Sequence, residues 1–60
     1  MLVFKHKDIF VCQGMEIKYN DSIYEIIKLK NIGNTKGIYI LIGNVKHIIF
    51  EKDFDKITFV

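Results

Sequence analysis

The stretch MEIKYNDSIYEIIKL, Met15–Leu29, decides the fold, because it reads in two ways. As a pair of strands, Ile17 and Tyr19 alternate with charged residues, and Asn20-Asp21 tolerate the positive φ of a two-residue turn. Ile23 to Leu29 then form the return strand. As a helix, Ser22 and Glu25 make a capping box, Ile23, Ile26 and Ile27 share a face, and Gly33 supplies the stop. Two features favour strands. The segment is dense in β-branched residues, and the Asn-Asp pair sits where a hairpin would turn. Strands are therefore the expectation, with a helix over Ser22–Asn31 as the alternative.

Working outward, the N-terminal side reads LVFKHKDIFV (Leu2–Val11), apolar at both ends around a charged middle. It predicts one bent strand or a short hairpin about Lys7-Asp8, interrupted by Gly14. On the other side, NIGNTKG (Asn31–Gly37) has loop chemistry. IYILI (Ile38–Ile42) has apolar residues in both phases, as a central strand covered on each side does. Gly43-Asn44 predicts a turn and VKHIIF (Val45–Phe50) a further strand. EKDF (Glu51–Phe54) reads as one tight turn of 3₁₀ character, with Asp53 able to bond the backbone two residues on. KITFV (Lys56–Val60) then alternates Ile57 and Phe59 inward. The expected core draws on Ile17, Ile27, Ile40, Ile49, Phe50, Ile57 and Phe59.

Sixty residues make one domain, 1–60, and a chain so short buries only about 60% of the surface it exposes unfolded. Half of its residues are apolar, including twelve Ile and five Phe, while Ala, Pro, Trp and Arg are absent. Cys12 is the sole cysteine, so no disulfide can form within the chain. The bias predicts an all-β, β-rich class. A strand, one compact turn and a short final strand resembles how small SH3-like barrels close, the last strand sealing against the first. The expected fold is such a barrel, or a strongly bent antiparallel sheet of about five strands, with room for one short helical turn. The likeness lies in architecture and carries no functional residue.

Several function classes are disfavoured. The start MLVFKHKDIFVC carries Lys5, His6, Lys7 and Asp8 within its apolar residues, unlike a signal peptide. The run IYILI falls far short of the roughly 20 residues of a membrane span. A cytoplasmic protein without membrane contact is expected, from the Ile-, Lys- and Asn-rich composition of a low-GC bacterium or its mobile elements. His6, Cys12 and His47 are one ligand short of a structural zinc site. Glu51, Asp53 and Asp55 alternate, yet the EF-hand pattern is missing, so a solvated turn is expected rather than a cation site. Ser22 is the only serine, and no nucleophile–base pattern accompanies it. No phosphate loop is present. An enzyme, a metal and a cofactor are all unexpected.

Binding remains. Nine Lys and the candidate exposed aromatics Tyr19, Tyr24 and Tyr39 suit nucleic acid, but a net charge of only +2 and the absence of Arg do not. The two-faced apolarity of GIYILIG and IYEIIKL exceeds what so small a core can hide, and surplus apolar surface rimmed by Lys and Glu marks an interface. The expectation is a protein-binding module, an inhibitor or regulator of a larger host protein, that also self-associates as a homodimer. Tyr24, Tyr39 and Leu41 are its anchors, and Lys28, Lys30 and Lys36 its steering rim. Self-association would use a face carrying Tyr39 and Leu41, or Tyr24 and Ile26. A nucleic-acid-binding SH3-like or OB-like module is the alternative.

Overall fold

The decisive stretch is a hairpin. In a computed structural model that describes residues 2–60, β3 (Glu16–Tyr19) and β4 (Ser22–Glu25) pair antiparallel, with Ile17 opposite Tyr24. Asn20 and Asp21 take φ of 50° and 64°. Positive φ at both central residues is what a type I′ turn requires, and its twist matches that of the flanking strands. The helix alternative is therefore set aside.

The described residues are mostly strand, joined by tight turns, with one 3₁₀ helix. β1 (Val3–His6) and β2 (Ile9–Cys12) form a hairpin whose turn holds Lys7 at φ 55°. β5 (Lys28–Ile32), β6 (Thr35–Ile42) and β7 (Val45–Phe50) make a three-stranded antiparallel sheet. Two-residue Gly-Asn turns join them, with Gly33 and Gly43 at φ of 60° and 64° as the first residue of each. The 3₁₀ helix covers Glu51–Lys56, and β8 (Thr58–Phe59) ends the chain's regular structure by pairing with β3.

The all-β class is as expected. The strands do not close into a barrel, and among the described residues there are eight of them, in three small sheets ordered β1-β2, β4-β3-β8 and β5-β6-β7. The last strand seals against β3 rather than against the first strand: Phe59 lies opposite Ile17, and the Val60 N–H donates to the Glu16 carbonyl at 3.0 Å. The predicted return strand Ile23–Leu29 is divided at Ile26-Ile27. There the Ile26 N–H donates to the Met15 carbonyl at 2.8 Å, and the Ile27 N–H to the Tyr39 carbonyl at 2.9 Å. The chain leaves one sheet and enters the next between these two residues.

That switch shifts the alternation. Ile26 and Leu29 are buried, and Ile27 is only half-buried. The core holds Phe4, Val11, Ile17, Ile26, Leu29, Ile38, Ile40, Ile49, Phe54 and Ile57. Of the expected members, Ile17, Ile40, Ile49 and Ile57 are there, while Ile27, Phe50 and Phe59 are half-buried. Phe54, in the tight 3₁₀ turn expected over Glu51–Phe54 but not among the expected core residues, is buried at 1% exposure, with its ring edge-on to His6 and Phe59. Among the described residues no polar or charged side chain is buried, so all of the interior contributes apolar contact. No helix among them is long and apolar enough to cross a membrane.

Candidate functional site

Successive strand residues point to opposite sides of a sheet, and residues directly opposite across a ladder share a side. The two Gly-Asn turns therefore fix what shares each face of the β5-β6-β7 sheet. Toward the core go Leu29, Ile38, Ile40 and Ile49. Away from it go Lys28, Lys30 and Ile32 on β5, Gly37, Tyr39 and Leu41 on β6, and Lys46, Ile48 and Phe50 on β7.

This outer face has an apolar centre. Tyr39 lies directly opposite Ile48, and Leu41, beside them, is 45% exposed. Gly37 is buried beneath neighbouring side chains: a Cβ there would stand 2.7 Å from Ile48 Cδ1 and 3.6 Å from Ile32 Cδ1. The missing Cβ lets the Ile48 side chain lie down across β6. The charge at its rim is purely basic. Lys28 and Lys30 line one edge and Lys46 the other, with no carboxylate at any register position of the face. The Lys46 ammonium sits 5.4 Å from the Tyr39 ring centre, a cation–π contact that orients both groups.

Four of the sequence-derived binding residues thus meet here: Tyr39, Leu41, Lys28 and Lys30. The other two lie elsewhere. Tyr24, on the core side of β3-β4, packs against the buried cluster. Lys36 occupies the core-side phase of β6, and its ammonium lies 5.6 Å from the Phe4 ring centre. Ile26 is fully buried, so no exposed face combines it with Tyr24. The sequence reading missed Lys46, Ile48 and Phe50. Their signal was the two-residue turn at Gly43-Asn44, which alone puts Tyr39 opposite Ile48.

The remaining candidates do not assemble. His6 and Cys12 sit at opposite ends of the β1-β2 ladder, and His47 is exposed on β7. Among the described residues no three His, Cys, Asp or Glu side chains cluster to hold a metal ion. Glu51, Asp53 and Asp55 fall within the 3₁₀ helix, where a three-residue repeat splays alternate positions about 120° apart. Ser22 is exposed at the end of its hairpin. Compared with known proteins, the chain matches no family model, no curated protein and no solved structure.

A concavity of about 250 Å³ opens between the β1-β2 turn and the 3₁₀ helix. His6, Phe54 and Phe59 wall it with edge-on and tilted rings 5.2–6.0 Å apart. Lys7 Nζ donates to Asp55 Oδ1 at 2.9 Å, whereas His6 Nε2 stands 3.9 Å away, beyond hydrogen-bond reach. That hydrogen bond, and then the Lys7 charge, hold the Asp55 carboxyl below the usual carboxylate range. With its carboxylate committed to Lys7, this group works as a brace between the helix and the first hairpin.

Proposed function

We propose that the protein is a non-enzymatic protein-binding module, and that the outer face of the β5-β6-β7 sheet is its docking surface. The observation that carries this reading is an apolar centre, Tyr39, Leu41 and Ile48, left outside the core on a face whose only charged residues are lysines. Such a centre supplies affinity by desolvation, while the rim steers approach and sets orientation. The partner is then a protein surface with an apolar middle and carboxylates at its edge. A cytoplasmic inhibitor or regulator, carried by a mobile element of a low-GC bacterium and acting on a larger host protein, fits the composition and the single unpaired cysteine, Cys12.

One observation favours a second reading. Tyr39 and Phe50 share a three-stranded sheet face with three lysines, an arrangement on which single-stranded nucleic acid stacks. Against it, Ile32, Leu41 and Ile48 interleave with those rings, and Arg is absent from the chain. Affinity capture from a low-GC bacterial lysate, with and without nuclease, separates the two. One stoichiometric protein partner that survives nuclease, and is lost with Leu41→Lys, is the expected result. Capture abolished by nuclease, together with a steep salt dependence for a short single-stranded oligonucleotide, would overturn it in favour of the second reading.

A further inference from the structure

The lysines that rim the docking face also restrict how two copies of this chain can meet. The face is small: three strands about 4.8 Å apart, contributing about five residues each, span about 10 Å by 15 Å. Both of its outer strands carry lysine, Lys28 and Lys30 on β5 and Lys46 on β7. A two-fold dimer built on this face would set one basic edge against another whichever way the axis ran, within the about 10 Å over which charges still interact at moderate salt.

The opposite charge lies on another outer face of the same molecule. In the β4-β3-β8 sheet, Ile17, Tyr24 and Phe59 point to the core, leaving Glu16, Glu25, Lys18, Ile23 and Thr58 outside. Glu16 and Glu25 are directly opposite across the β3-β4 ladder, both exposed, and among the described residues neither forms an ion pair. Like charges so placed repel and cost stability. Beside them stands Ile23, opposite Lys18, with 59% of its surface exposed. This face is therefore the more acidic of the two, with two adjoining carboxylates, one lysine (Lys18) and an exposed aliphatic side chain where the other has only lysines around Tyr39 and Leu41.

We infer that the chain associates head to tail, the Glu16–Glu25–Ile23 face of one copy seating on the Lys28–Lys30–Lys46 face of the next. This rests on the reading of the β5-β6-β7 outer face as a docking surface, and it names the occupant that competes with any heterologous partner: another copy of the same chain. The contact relieves the Glu16–Glu25 repulsion, covers Leu41 with Ile23, and uses different surfaces on the two molecules. It is heterologous, so it propagates into short open chains instead of stopping at a dimer. Because each contact is small, it is weak, and it gates the docking face by concentration and by salt.

Sedimentation velocity on the whole chain tests this, from about 20 μM to about 1 mM, a range suited to an interface below about 1,200 Å². Two charge-reversed variants are compared, Glu16→Lys/Glu25→Lys and Lys28→Glu/Lys30→Glu/Lys46→Glu, each checked for native β circular dichroism. The wild type is expected to gain mean mass with concentration, past the dimer, and to return to monomer as salt rises from about 20 mM to about 0.5 M. Each variant alone stays monomeric, and an equimolar mixture of the two associates again, because each carries the complement of the other's altered face. Should the triple lysine variant not fold, Leu41→Lys and Ile23→Lys replace the two, each expected to dissociate the wild-type chains. Glu16→Lys alone has a further signature: association is lost while Tm rises. A wild type that is monomeric throughout would overturn the inference, as would a mixture that fails to associate. If the Glu variant associates like wild type while the Lys variant does not, the acidic face is not the occupant. The basic face then remains a docking surface, and its own capture experiment decides the proposed function separately.

Discussion

Replacing Phe54 by Ala should unfold this protein. Phe54 is the one buried residue of the 3₁₀ helix, and its ring meets His6 edge-on at 5.2 Å and Phe59 at 6.0 Å. Truncating a buried Phe to Ala costs about 3–5 kcal/mol in transfer and cavity terms. Losing two edge-to-face contacts, each worth about 0.5–1.5 kcal/mol, places this site in the upper half of that range. A single core in a chain of this size supplies no more than about 3–5 kcal/mol, so nothing is left to hold the native state. Phe54→Leu keeps most of the volume and is expected to fold with a loss of about 1.5 kcal/mol. Urea unfolding followed by tyrosine fluorescence suits a chain with three Tyr and no Trp. Phe59→Ala is the internal standard: half-buried, it should cost about half as much as Phe54→Ala. A Phe54→Ala protein with an unchanged midpoint, or one more stable than Phe59→Ala, would refute the placement of Phe54 at the centre of the helix's packing.

Three further outcomes are expected. Asp55→Asn should lower Tm near neutral pH and lower it less near pH 2. The folded carboxyl titrates below its unfolded value, so its contribution is complete above about pH 4 and is lost as pH falls through the depressed folded pKa. An equal loss at both pH values would contradict the Lys7 pairing. Asp21→Gly should raise stability by up to about 1 kcal/mol, since Asp21 holds φ at 64° where Gly has no Cβ penalty, and a lowered Tm would exclude the type I′ turn. Gly37→Ala should cost up to about 1 kcal/mol by pushing its Cβ against Ile48, 2.7 Å from Cδ1, which must turn aside, and less in an Ile48→Ala background. The double-mutant cycle measures that coupling directly, and additive costs would disprove the contact.

What the sequence made legible was local. Asn20-Asp21 announced the central hairpin, the Gly-Asn pair at positions 43–44 set one register, and the double apolarity of Ile38–Ile42 marked the strand with an apolar outer face, whereas Asn31–Gly37 reads as loop and is strand except for its Gly33-Asn34 turn. What it hid was long-range or depended on a change of period. No residue near Phe59 signals that its partner is Ile17, so a five-stranded barrel closing on its first strand and an eight-stranded set of three sheets read alike. Phe54 stands in a run of charges that alternation reads as polar, but a three-residue repeat turns its ring inward. The switch of sheets at Ile26-Ile27 moves burial from Ile27 to Ile26 and Leu29. Of the candidate binding residues, Lys36 and Tyr24 fit by residue type alone, and only the register shows that they face the core side.

The pairing of β8 with β3 also shapes the order in which the molecule comes together. The other ladders are hairpins between neighbouring strands, units that form in about 1–10 μs. The β3-β8 ladder joins Ile17 to Phe59, 42 positions apart, through only two register pairs. Closing a loop of that length costs about 3 kcal/mol before any contact repays it. Zipping this seam is therefore expected to follow the rate-limiting barrier. Phe59→Ala would then accelerate unfolding and leave the refolding rate nearly unchanged, and the native lifetime would be set by how often that two-residue seam reopens.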